Sequence, residues 1–105
     1  MKDFKQILDT LPSIEHLSGL SVLSGDTVVQ YIPALEGKLG SLKVYNALAQ
    51  EFNGKLDPIS AQKGLELFAE HTTDAREHLG KHPNIDLLFR VIDEDICYQL
   101  VPDEK

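Results

Sequence analysis

The sequence predicts an α+β fold: two antiparallel β-hairpins forming one sheet, with two or three helices packed on one face. Three observations lead there. β-rich runs come in two separated pairs, at 17–33 and 85–101. Apolar residues at helical spacing fill much of the stretch between them, 41–80. Strands and helices do not alternate one by one, as a doubly wound parallel sheet requires. With 105 residues the chain has room for a single domain, residues 1–105.

Each element has its own signal. Residues 3–11 read as a short helix: Asp3 is a capping residue, Phe4, Ile7, Leu8 and Leu11 recur at helical spacing, and Pro12 ends the run. Residues 17–33 read as a hairpin, because Gly25-Asp26 between two β-rich runs suits a tight turn. Pro33 closes the second strand or places it at an edge. A loop follows over 34–40, and Ser41 is the expected cap of a helix reaching about Asn53. Gly54 suits the left-handed position beyond its last turn.

Asp57-Pro58 pairs a capping carboxylate with proline at the first helical position, so a helix starts there and runs through Ala61, Leu65 and Phe68. Two readings stand for 70–80: one continuous helix, or a second helix capped by Asp74, with Glu77 three residues on. Gly80 and Pro83 stop it either way. Ile85, Leu87, Phe89 and Val91 alternate, which reads as a strand over 85–92. Asp93-Glu94-Asp95 is then a turn, and residues 96–101 form the return strand, closed by Pro102. Leu88 and Ile92 leave that strand's second face apolar, so the reading also predicts an interface there, with a second copy or a protein partner.

The formal net charge is −7, of which −3 belongs to residues 1–92 and −4 to the last 13 residues. The basic residues are scattered. An acidic chain without a basic face excludes nucleic acid and anionic membrane surfaces as partners. One cysteine, Cys97, rules out a disulfide within the chain, and a strand cysteine without cationic neighbours reads as packing. The N-terminal residues show no secretory pattern and no run is apolar enough to span a membrane, so the expected location is cytoplasmic.

Chemistry concentrates in one place. His71, Asp74, His78 and His82 lie within twelve residues. On one helix the first three share an arc of about 60°, beside the buried stripe of Leu65, Phe68, Ala75 and Leu79. His71 and His78 are about 10.5 Å apart along such an axis, too far to share one ion comfortably. The workable ligand sets for a divalent transition metal, the one cofactor the pattern admits, are Asp74, His78 and His82, or His71 and Asp74 with a residue from elsewhere. The same residues suit acid–base catalysis. The plainer reading has Asp74 capping the helix and the histidines sitting at its negative end. Gly37, Gly40 and Ser41, ahead of a helix, form a candidate anion-binding loop, although the sequence lacks the Lys-Ser/Thr ending of a phosphate loop. The plain alternative is a loop with a serine cap. Asp93-Glu94-Asp95 lacks a calcium-loop pattern, and His16 reads as a packed or half-exposed histidine.

Gly37-Lys38-Leu39-Gly40-Ser41-Leu42, Ala69-Glu70-His71-Thr72-Thr73-Asp74-Ala75 and Gly80-Lys81-His82-Pro83-Asn84-Ile85-Asp86 resemble a family of small uncharacterised bacterial proteins, a domain of unknown function. The resemblance spans residues 35–90 or the whole chain. It implies a bacterial cytoplasmic setting and brings no activity, cofactor or catalytic residue. Two functions remain open: a non-enzymatic, self-associating interaction or regulatory module, and a metal-binding or acid–base enzyme built on residues 71–82.

Overall fold

The computed structural model describes residues 2–105. The elements in chain order are α1 (Phe4–Leu8), β1 (Leu17–Ser24), β2 (Thr27–Pro33), α2 (Leu39–Glu51), β3 (Lys55–Leu56), α3 (Pro58–Leu67), α4 (Glu70–Glu77), α5 (Pro83–Glu94) and β4 (Tyr98–Glu104). The class is α+β, with five helices rather than two or three. The four strands form one antiparallel sheet in the order β2-β1-β4-β3.

The first hairpin forms as expected: β1 and β2 meet around Gly25, which takes a positive φ of 61° at the turn. The second hairpin does not exist. Residues 85–92 belong to α5, and β4 instead pairs with β1 on one side and the two-residue β3 on the other. The misreading has a physical cause. Ile85, Leu87 and Val91 fit a strand's alternation together with Phe89 and a helix's period together with Leu88, and a short apolar run does not separate the two. Pro83 at the first helical position and Asp95 in the left-handed conformation after the last turn are the local signals that decide for helix. Asp93 and Glu94 therefore end a helix rather than make a hairpin turn. Leu88 is fully buried and Ile92 packs against the core, so the interface expected on a strand at 85–92 is gone.

One face of the sheet, carrying Leu20, Val22, Ile32 and Leu100, is sealed. α2 covers it, and Leu42 and Val44–Ala49 are all buried, which leaves little of this helix in water. α3 packs on α2, and α5 packs on α3. Gly64 lets them close up: a Cβ there would lie 2.8 Å from Leu88 Cδ1 and 3.0 Å from Leu48 Cδ1.

Residues 70–80 are neither continuous with α3 nor capped by Asp74. The break falls earlier, at Ala69, whose φ of 51° and ψ of −121° are strained for a residue with a Cβ. Thr72 Oγ1 stitches the corner by donating to the Leu65 carbonyl at 2.6 Å. α4 ends at Glu77, so Leu79 leaves the expected buried stripe and is 77% exposed. Among the described residues no helix is long and apolar enough to cross a membrane.

Candidate functional site

Asp74 is inside α4, and the loop after that helix folds back over it. His82 Nε2 lies 2.6 Å from Asp74 Oδ2, Lys81 Nζ 3.1 Å from the same oxygen, and His78 Nδ1 3.2 Å from Oδ1. An ionised carboxylate only accepts, so His82 donates through Nε2–H. The His82 hydrogen bond first, and the Lys81 ammonium second, hold the Asp74 carboxyl down at about 2. Asp74 therefore caps nothing; it is the anchor around which three basic side chains, His78, Lys81 and His82, gather. His71 joins the group through its ring: it meets Phe4 edge-on at 4.7 Å and lies 5.8 Å from the His82 ring.

Asp74, His78 and His82 thus do converge: His82 hydrogen-bonds the Asp74 carboxylate, His78 Nδ1 lies near it and 3.3 Å from the Asp74 backbone carbonyl, and a lysine stands among them. Among the described residues no group of three His, Cys, Asp or Glu side chains is placed to hold a metal ion.

Two helix starts complete the surroundings. α2 begins three residues earlier than expected, with Lys38 rather than Ser41 at its cap position and no side-chain capping bond. α5 begins after His82, also without a side-chain cap. The first N–H groups of a helix have no partner inside it, and the start carries a partial positive charge. α2 offers the N–H groups of Leu39, Gly40 and Ser41, whereas α5 offers that of Asn84, because Pro83 has none and Ile85 N–H donates to the His82 carbonyl at 3.0 Å. Gly40 allows Phe4 close to the α2 start; a Cβ there would meet the Phe4 ring at 3.0 Å. Phe4 in turn stacks on Phe68 at 5.6 Å, and its N–H donates to Glu70 Oε1 at 2.8 Å, tying α1 down as a wall.

Buried bonds fix the start of α5 against α2. The Tyr45 hydroxyl donates to the Asn84 carbonyl at 2.5 Å, and the Asn84 side-chain oxygen accepts from Gln30 Nε2 at 2.7 Å. Complete burial pushes the Tyr45 phenol far above its usual range, so it stays a neutral donor.

Between these elements lies a cleft of about 440 Å³. Phe4, Leu8, Phe68 and Leu39 give it an apolar side. Lys38, Lys81, His71 and His82 give it a basic side. None of its lining residues is an aspartate or glutamate, in a chain with a net charge of −7. Gly37, Gly40 and Ser41, the candidate anion loop, line the same cleft as His71 and His82. His78 does not line it; its ring stays with Asp74 on the outer side. Exposed His16, exposed Cys97 and the Asp93-Glu94-Asp95 segment lie elsewhere.

Sequence reasoning missed Lys38, Lys81, Phe4, Phe68 and Asn84. The structure places each lysine within two residues of a helix start without a side-chain cap, which the sequence hides because Ser41 reads as the cap of α2 and residues 85–92 read as a strand. Nothing in the sequence shows that these two helix starts face each other.

Fold and cleft together define a small α+β protein with a preformed basic site at paired helix starts. The chain belongs to the family described as uncharacterized protein conserved in bacteria (DUF2322), whose model matches residues 4–102. No curated protein and no solved structure matches it.

Proposed function

We propose that this chain is a non-enzymatic regulatory module of the bacterial cytoplasm that takes up a small organic anion, with its carboxylate on the basic side of the cleft and an apolar body against Phe4 and Phe68. The observation that carries this reading is the sign of the lining: two lysines, two histidines and two uncapped helix starts, with no carboxylate, on an acidic protein. A cleft of about 440 Å³ falls within the usual range for small-molecule sites. Lysine ammonium groups and free backbone N–H groups are the standard donors for carboxylate and phosphate. Asp74 serves the site from behind by holding Lys81 and His82 in place.

Isothermal titration with benzoate, and separately with inorganic phosphate, tests it on the wild type and on Lys38→Glu. The reading expects saturable benzoate binding that Lys38→Glu weakens at least tenfold, with weaker binding of phosphate, which has no apolar body. Absence of benzoate binding at millimolar concentration, or binding indifferent to Lys38→Glu, contradicts it.

A second reading keeps the site and adds proton transfer. It is favoured by the 2.6 Å contact between Asp74 and His82 Nε2, which leaves Nδ1 of a neutral His82 as a proton acceptor. It expects His82→Ala to abolish turnover of a bound acid while Asp74→Asn only slows it. Equal activity in both variants removes it.

A further inference from the structure

The two edges of the sheet are built differently. β3 is two residues long, contains Lys55, and that lysine pairs with Asp57 at 3.7 Å. Short length and an edge lysine are the ordinary ways of keeping a sheet from adding strands. β2, at the other edge, has seven residues and no charged side chain. Residues 27–35 contain no charge at all, a run matched by the central strand β1 and its turn over 17–25. β2 has the composition of an interior strand in an edge position.

Its outer edge is open. Among the described residues the backbone of β2 pairs with β1 alone, and the only further bond at its end runs from Ala34 N–H to the Ser18 carbonyl. The exposed apolar side chains gather at the same place. Val28 (55% exposed) and Tyr31 (49%) lie on β2, Leu35 (62%) follows it, and Leu39 (45%) opens α2. The other large exposed apolar side chains, Ile59 and Leu79, stand on α3 and after α4.

We infer that β2 is a homodimerisation edge: a second copy of this chain adds its own β2 antiparallel across a two-fold axis, joining two four-stranded sheets into one of eight. If two copies meet, charge selects this place over the acidic remainder of the surface. Two chains of −7 repel wherever their acidic surfaces meet, and this strip lets them approach with no like charges opposed. Antiparallel pairing of one strand with itself is self-complementary, as a two-fold interface requires. Open N–H and C=O groups along the edge supply the bonds, and Val28 and Leu35 supply apolar area beside them. Pro33 limits the paired segment to Thr27–Ile32. Leu39 borders both this patch and the cleft, but Val28 and Leu35 line no part of the cleft, so a change at those two positions tests the interface without touching the ligand site.

Sedimentation equilibrium and light scattering on the whole chain test the inference. The wild type is expected at twice the chain mass of 11.7 kDa. Val28→Lys/Leu35→Lys, two exposed positions, is expected to halve the mass without changing the circular dichroism spectrum. Leu79→Lys is the control and should remain dimeric. A wild type that stays monomeric at millimolar concentration overturns the inference, and so does a dimer that survives the double lysine variant. If that variant does not fold, amide hydrogen exchange in the wild type decides. Protection of β2 that rises with protein concentration supports the dimer edge, and protection independent of concentration contradicts it.

Discussion

α3 and α5 both open on proline, yet their starts are finished in opposite ways. Before Pro58, the Asp57 carboxylate accepts from Ser60 N–H at 3.0 Å while Ser60 Oγ accepts from Asp57 N–H at 2.8 Å, so the free donors are satisfied within the helix itself. Before Pro83 stands His82, whose ring is turned to Asp74 instead, and no side chain closes the helix start. α1 repeats the first pattern, with Asp3 and Gln6 bonded reciprocally. α2 repeats the second, with Lys38 in the cap position. The two closed starts carry an anion of the chain's own. Three starts have no side-chain cap: those of α2 and α5 border the basic cleft, and that of α4, at Ala69 with Glu70 in its first turn, does not. A helix start built for stability alone takes its own carboxylate, and a start left open with cations around it is arranged for someone else's.

Variants that exchange the two kinds of start separate stability from binding. The largest expected effect is on ligand affinity. Lys38→Asp removes a charge-assisted contact of about 2 kcal/mol, roughly thirtyfold in dissociation constant. The same change places an anion at the α2 start and should raise unfolding stability by about 0.5 kcal/mol. Opposite signs in calorimetric binding and urea unfolding are the expected signature, and a loss in both would mean that the residue is structural. Next in size, Asp57→Ala should cost about 1 kcal/mol of stability in urea and leave benzoate affinity unchanged. A comparable gain is expected from Ala69→Gly, which relieves the strained φ at the α3–α4 corner and should stabilise by about 1 kcal/mol. If Ala69→Gly destabilises, the corner is not under backbone strain.

The finest effect is one of pH dependence. The Asp74 carboxyl lies below its unfolded value of 3.8, at about 2. A depressed carboxyl stabilises the folded state above the unfolded value and loses that contribution as pH falls through the folded one. Asp74→Asn should therefore lower stability above about pH 4, with the gap to wild type closing between 3.8 and about 2. A gap that is constant across that interval would show that the carboxylate charge contributes nothing. Above it, the variant should also bind benzoate more weakly, because Lys81 and His82 lose their common anchor.

Local signals were legible in the sequence and distant ones were not. Asp3, Gly25, Asp57 and Pro58 act on their immediate neighbours, and α1, the β1–β2 turn and the start of α3 sit where those residues put them. α5 reads as a strand in the sequence because its apolar positions fit both periods, and because the decisive residues have other readings there, Pro83 as a helix stop and Asp95 as part of a hairpin turn. The four-residue cluster was half legible. Asp74 and His78 meet by helical spacing, whereas His82 reaches Asp74 only because the chain turns back after Glu77. The candidate anion loop and the histidines were read as two separate features, 30 residues apart. Their meeting in one cleft depends on Tyr45, Asn84 and Gln30, a buried chain of bonds across three elements that no local pattern announces.

The central claim is that the open starts of α2 and α5 receive an anion. Amide NMR shifts recorded during a benzoate titration test it most directly. The expected result is saturable movement of the Leu39, Gly40, Ser41 and Asn84 amides, with the capped start at Ser60 unmoved. Shifts that spare residues 39–41 and 84, or that move Ser60 equally, would contradict it.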